Sequence, residues 1–218
     1  MDKKNRRFIF LGICFLVAFV IWTFLVRFVD VDAIGPKESN VGFATLNGYV
    51  HNRIGVNMAL YTFTDWLGII PICVAFCFAV LGLLQMISRK SFFKLDKSLL
   101  LLGAFYLVVI FVYVVFEIAI INYRPVLING YLEASYPSST TLLVSCVMPT
   151  AIIQLRARIK NNICKRSLVI MIVAFIAFMV VGRLVSGVHW ITDIIGGALL
   201  STGLVLIYYS ISNSAAIK

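Results

Sequence analysis

At 218 residues and 24.3 kDa the chain is long enough for one domain or two small ones. It is 61% hydrophobic and 13% charged, with a mean hydropathy of +1.01; a soluble domain is closer to about half apolar and a quarter charged, so a soluble globule, a disordered chain and a disulfide-stapled mini-protein are excluded and an integral membrane protein remains. The 19 Lys+Arg against 9 Asp+Glu give a net charge of +10, which marks contact with nucleic acid or anionic lipid, or else records the rules of membrane insertion.

A helix crossing the hydrocarbon core needs about 20 mostly apolar residues. The first such stretch, Phe8–Val26, follows Lys3, Lys4, Arg6 and Arg7. No small-x-small cleavage site comes after it, because the next residues are Arg27-Phe28-Val29-Asp30, so it reads as an uncleaved signal-anchor. A loop over about 29–62 follows, rich in Gly and Asn, with short apolar stretches suited to an interfacial helix over the bundle. Further spans are expected at Phe63–Ile87, Ser98–Ile121, Ser138–Leu155, Ser167–Val181 and Trp190–Ser212. The expected fold class is all-α, an integral membrane bundle of six transmembrane helices forming a single domain over 1–218.

With the N-terminus inside, 14 of the 19 basic residues fall on inner segments and five (Arg27, Lys37, Arg53, Arg124 and Arg183) outside. That satisfies the positive-inside rule. The inner side carries +12 and the outer side −2. Insertion therefore accounts for the charge. The basic residues form separate short stretches without an aromatic-basic face, so no nucleic-acid partner is expected. Both termini are expected on the cytoplasmic side of a cell membrane.

The five cysteines, Cys14, Cys73, Cys77, Cys146 and Cys164, sit in spans or an inner loop, and none is placed for an external disulfide. Cys73 and Cys77 share a helix face but have no partnering His or Asp, which fits packing rather than metal ligation. Gly196, Gly197, Ala198 and Gly203 in the last span suit close helix packing.

Ionisable groups at membrane depth are expensive and are functional candidates by default. Here they gather at the outer ends of the last four spans. The third span ends in Glu117-Ile118-Ala119-Ile120-Ile121-Asn122-Tyr123-Arg124-Pro125, and the fourth opens at Tyr136-Pro137-Ser138-Ser139-Thr140-Thr141. The junction into the sixth reads Gly182-Arg183-Leu184-Val185-Ser186-Gly187-Val188-His189-Trp190-Ile191-Thr192-Asp193. Arginine presents a planar fork of donors that fits phosphate oxygens. Ser138 and Ser139 begin a helix whose free N–H groups form an anion site. His189 and Asp193, at i and i+4, share a helix face. The carboxylate can accept from one ring nitrogen and leave the other free as nucleophile or base. The set suits phosphoryl transfer through a phosphohistidine. No metal or other cofactor is required, because two arginines can balance the charge of the transferring group.

These residues resemble the signature of the type-2 phosphatidic acid phosphatase superfamily of membrane lipid phosphatases, which reads Lys-x6-Arg-Pro, Pro-Ser-Gly-His and Ser-Arg-x5-His-x3-Asp. Arg124-Pro125 matches the end of the first motif, Pro137-Ser138 the start of the second, and Arg183, His189 and Asp193 the third at the right spacing. Order, topology and the six-span count also fit. The resemblance implies that His189 attacks phosphorus, Asp193 orients it, and Arg124 and Arg183 hold the phosphoryl oxygens with Ser138, while Ser139 offers its backbone N–H. It implies a lipid phosphate or diphosphate as substrate, an active site on the extracytoplasmic face, and a polyprenyl carrier diphosphate as the favoured lipid in a bacterial membrane. Thr140, Glu117, Asn122 and Tyr136 complete the expected substrate-binding set.

Seven of the eleven signature positions match. Gly182 replaces a Ser and Ser139 a Gly. Thr140 stands where the family has the histidine that protonates the leaving group, and Glu117 where it has a lysine. General acid catalysis is typically worth about 10²–10⁴-fold. A diphosphate needs it less than a monoester does, because its leaving group is already a weak base. Alternatively another group supplies the acid. Glu117 is the first candidate, its bland alternative being an ion pair that positions Arg124 or Arg183; Glu133, Tyr136 and His51 are further donors. The other readings are a phosphatidate or phosphatidylglycerophosphate phosphatase, and a non-catalytic binder of lipid phosphate. A transporter would show repeat symmetry and a midplane site, and the sequence has neither. Asp65, Trp66 and Trp190 read as interface anchors, with shaping of substrate entry as the alternative for Asp65 and Trp66; His51 reads as a solvated loop residue, Tyr123 as a pocket wall, and Asn122 as a partner of Arg124 or of phosphate.

Overall fold

The computed structural model describes residues 2–91 and 94–216; Lys218, counted above with the inner cations, lies outside them. The described residues form α1 (Lys3–Phe28), α2 (Ala44–Ile54), α3 (Met58–Leu67), α4 (Ile69–Arg89), α5 (Lys97–Ile118), α6 (Ser139–Arg158), α7 (Asn162–Val185) and α8 (Ile191–Ala216), with a short 3-10 turn at Pro36–Glu38. Six helical stretches are long and apolar enough to cross a membrane, with α3 and α4 counting as one over Met58–Arg89. The protein is an all-α membrane bundle.

α6 and α8 form the centre, being 56% and 44% buried over their spans, whereas the others are at most 22% buried. Their sequences explain this. Gly196 meets the ring of Tyr136, and a Cβ on Gly197 would lie 3.1 Å from Thr141. Small residues let backbones approach where lipid supplies no hydrophobic drive between helices. Buried polar groups are paired across the seams. Gln154 donates to the Tyr208 hydroxyl at 2.7 Å, and Asn5 donates to Ser214 at 2.9 Å. The outer helices turn Phe10, Phe24, Phe76, Leu107 and Phe111 outward, as lipid contact requires.

Three helices begin five residues ahead of the sequence expectation, and α1 is one of them, starting at Lys3 rather than Phe8. α7 begins at Asn162 rather than Ser167, because Asn161 caps it by accepting from the N–H groups of Ile163 and Cys164. The helix thus starts within a charged segment that hydropathy ignores. The second span begins at Met58 instead of Phe63, with Asn57 as its cap.

The 29–62 segment contains α2 and the start of α3, and it braces the α7–α8 turn. The Asn57 N–H donates to the Ser186 carbonyl at 3.0 Å. Asn47 donates to Thr192 at 3.0 Å. Gly187 lies in the left-handed region at φ 68, and a Cβ there would run into the backbone of Gly55. Only glycine fits both demands.

Candidate active site

Each spanning element from α3 to α8 except α4 contributes a polar residue to one end of the bundle. Arg124 lies in the segment after α5. The segment folds back on itself through a bridge between Tyr123 and Ala134, and the Arg124 N–H donates to the Glu133 carbonyl at 3.0 Å. The side chain pairs with the same residue, Nε to Oε2 at 3.1 Å. Arg183, on the last turn of α7, is 3% exposed. Its Nε and Nη2 donate to Thr140 Oγ1 at 2.9 and 2.6 Å, and Nη2 also donates to Asp65 Oδ1 at 2.6 Å. The ring of Tyr61 lies 4.9 Å from the Arg183 guanidinium carbon and 5.8 Å from that of Arg124. Both are within cation–π reach, so one aromatic face holds two cations side by side.

His189 sits in the α7–α8 turn, 3% exposed. Its Nδ1 is 3.6 Å from Asp193 Oδ2, longer than a hydrogen bond. That oxygen accepts from the Trp190 N–H at 2.9 Å, so the carboxylate caps the first turn of α8 while facing the imidazole. The Trp190 indole donates to the Tyr123 carbonyl at 2.7 Å and ties the turn to the Arg124 segment. Burial, and then the Arg124 and Arg183 cations, hold the His189 imidazole well below the usual histidine value. The ring is therefore neutral, with a lone pair available for attack.

Ser138 caps α6, its Oγ accepting from the Thr141 N–H at 3.4 Å, while its own N–H donates to the Asp193 carbonyl at 3.1 Å. The next N–H groups, of Ser139 and Thr140, belong to the first turn, where the helix supplies no acceptor. Buried atoms without a protein hydrogen-bond partner concentrate here: Nη1 of Arg124, Nη1 of Arg183, both ring nitrogens of His189, Nδ2 of Asn122, Oγ1 of Thr141 and Oδ1 of Asp193. Buried polar groups in a folded protein normally find partners. A set made mostly of donors suits an anion.

Arg124, Arg183, His189, Asp193, Ser138, Ser139 and Thr140 come together. Thr140 serves as acceptor for Arg183 rather than as a proton donor. Asn122 is buried beside Asp193, its Oδ1 accepting from the Gly42 N–H at 3.2 Å. Tyr136 is not brought to the arginines. It is 1% exposed, its hydroxyl lies 2.8 Å from that of Thr23 on α1, and its ring packs on Gly196. Closeness to Ser138 along the chain misleads, because the backbone bends at Tyr136 and Pro137. Glu117 is exposed on a crevice with Tyr113 and Ser139, and the arginines pair with Glu133 and Asp65 instead. His51 is only half-buried rather than fully solvated. Its ring lies 5.4 Å from Trp190, and burial lowers its pKa.

Sequence reasoning missed Tyr61 of α3 and read Asp65, four residues on and on the same face, as an interface anchor or an entry residue rather than as a partner of Arg183. The available signal was an acid at the end of an apolar span, the same signal that singled out Glu117. Among the described residues no group of three or more His, Cys, Asp or Glu is placed to hold a metal ion.

Beside Arg183 a groove of about 450 Å³ opens between α4 and α5, lined by Asp65, Ile72, Val109, Tyr113, Thr140 and Leu143 among others. A second groove, of about 610 Å³ and almost wholly apolar, continues along the same two helices past Phe78, Leu99 and Leu107.

A family model described as PAP2 superfamily matches residues 73–216, the stretch that carries Arg124, Ser138, Arg183, His189 and Asp193. The chain belongs to the PAP2 superfamily. Members of the family are phosphatases, which places this chain with the phosphoric-ester hydrolases at the family level. A solved structure, the PAP2-type phosphatidylglycerolphosphate phosphatase from Bacillus subtilis, is similar at TM-score 0.54 and 19% identity, covering 95% of this chain and 97% of that one. At that identity the likeness shows the shared fold. No curated protein matches the chain.

Proposed function

We propose that this PAP2 protein removes phosphate from a lipid phosphate or diphosphate at the extracytoplasmic membrane face, through a phosphohistidine on His189. The observation that carries the reading is the buried, unpartnered donor set of Arg124 and Arg183 facing a neutral imidazole. His189 Nε2 attacks phosphorus as the bond from phosphorus to the bridging ester or anhydride oxygen breaks, and that oxygen leaves with the lipid. The two guanidinium groups and the first-turn N–H groups of α6 hold the non-bridging oxygens and offset their growing charge. Asp193 keeps the ring oriented and stabilises the imidazolium form. Water then cleaves the N–P bond. The paired grooves between α4 and α5 accept the lipid chain, which makes the phosphate of an amphiphile a better fit than that of a soluble ester.

The favoured lipid is a polyprenyl diphosphate. Thr140 offers no imidazole to protonate a leaving group, and its hydroxyl is committed to Arg183. A leaving group that is itself a phosphate ester tolerates this, whereas an alkoxide does not. The second reading is a phosphatidylglycerophosphate phosphatase, favoured by the likeness to the Bacillus subtilis protein. The test is phosphate release from a panel of lipid monophosphates and diphosphates, with wild type and His189→Ala side by side. Hydrolysis is expected to be fastest on the polyprenyl diphosphate and lost in the variant. Faster hydrolysis of phosphatidate sinks the diphosphate preference, and an unchanged His189→Ala signal sinks the catalytic reading itself.

A further inference from the structure

α3 lies outside the segment matched by the family model, yet it supplies the ion-pair partner of Arg183. The approach is close by construction. Thr64 is fully buried against α7, and a Cβ on Gly182 would come within 2.9 Å of its Cγ2. A glycine at that point lets α3 sit against α7 and sets Asp65 beside the next residue, Arg183. Thr140 then takes the Nε and Nη2 donors of the guanidinium, and Asp65 takes Nη2 as well. Nη1 alone is left without a partner.

A phosphate gripped bidentately needs two donor nitrogens of the fork. On this guanidinium they are Nη1, which is open, and Nη2, which Asp65 holds. The Asp65 side chain is 57% exposed and borders the groove between α4 and α5, while that of Arg183 is 3% exposed. The carboxylate can swing away and the guanidinium cannot. Like charges also forbid a carboxylate and a phosphate from sharing that nitrogen comfortably.

We propose that Asp65 is a built-in competitor for the phosphate site: it holds Arg183 in the resting protein, yields it to the substrate's phosphate, and reclaims it as inorganic phosphate leaves. This rests on the reading that the site takes phosphate. Tyr61 keeps the guanidinium in place while the carboxylate exchanges, since its ring contact does not use the donor nitrogens. The cost of displacing Asp65 is drawn from substrate binding, and it is recovered when product departs. Asp65 is in this sense a specificity and positioning residue rather than one that touches the reacting atoms.

The test is inhibition of the full chain in detergent by inorganic phosphate and, separately, by orthovanadate, in wild type and Asp65→Asn. The amide keeps the shape and an acceptor oxygen for Arg183 but removes the charge. Both inhibition constants, and KM for the lipid, are expected to fall about three- to fivefold, the scale of a half-exposed ion pair. Asp65→Ser gives the same direction by a second route. Glu38→Gln, which removes an exposed carboxylate that pairs with neither Arg124 nor Arg183, leaves them unchanged and separates this contact from bulk charge. Inhibition constants that rise or stay level in both Asp65 variants overturn the proposal and make the contact purely structural, with the phosphatase reading intact. Wild-type protein that neither releases phosphate nor is inhibited by either anion removes that reading and this proposal with it.

Discussion

Thr140 carries the clearest quantitative expectation. Its hydroxyl oxygen accepts from Arg183 Nε at 2.9 Å and Nη2 at 2.6 Å. Both residues are buried, 8% and 3% exposed, and among the described residues no other protein acceptor holds Arg183 Nε. Thr140→Val keeps the shape and removes the oxygen. A hydrogen bond to a charged group is worth about 1.5–3 kcal/mol. If that difference falls on the transition state, where the guanidinium must meet growing charge, kcat/KM drops about 10- to 150-fold. Thr140→Ser keeps the oxygen and stays within a few-fold of wild type. The assay is phosphate release from the preferred lipid across substrate concentration, with thermal unfolding of each variant as a check on folding. A valine variant as active as wild type, or a serine variant as poor as the valine, refutes the assignment of Thr140 as the acceptor that sets Arg183.

His189 is held neutral by burial and by two cations, so the acid limb of kcat/KM lies well below the free-imidazole value of about 6.5. The sign for stability follows: below that pH the unfolded chain takes a proton that the folded chain refuses, so stability falls on acidification. His189→Gln removes that component, and parallel wild-type and variant curves contradict the buried imidazole. Glu117→Gln changes kcat/KM by less than about threefold, because Glu117 pairs with neither arginine, whereas Glu133→Gln lowers it further, because Glu133 fixes the Arg124 side chain through Nε while leaving Nη1 free for phosphate. Gly182→Ser forces a Cβ within 2.9 Å of Thr64; such overpacking costs about 1–3 kcal/mol. Thr64→Ala restores part of that stability, and a double-mutant cycle with no coupling refutes the contact.

The bundle was legible because a bilayer demands length and apolarity, and both are written in α1, α5 and the α3–α4 span. Hydropathy faded where helices begin in charged segments: α7 starts at Asn162, five residues ahead of its apolar run, because a cap rather than hydrophobicity sets the start. The site was legible where spacing along one element decides it, as for Arg183, His189 and Asp193. It failed where the partner comes from another element. No local pattern announces that Asp65 reaches Arg183 across 118 positions, or that Tyr136 turns from its neighbours toward Thr23. Glu117 was the reverse case. It has the charge and the place in sequence to pair with an arginine, but Glu133 and Asp65 already hold that role. Two departures from the family signature, Gly182 and Thr140, form one arrangement in space, since both serve the contact between α3 and Arg183.

The central claim is that His189 becomes phosphorylated. The direct measurement is rapid mixing with lipid substrate radiolabelled on its terminal phosphate, an alkaline quench that preserves an N–P bond, and mapping of the labelled peptide. Label on the peptide containing residue 189, lost in acid and absent from His189→Gln and His189→Ala, is the predicted result. Phosphate release by wild type with no protein-bound label at any time, or label retained in His189→Gln, contradicts it.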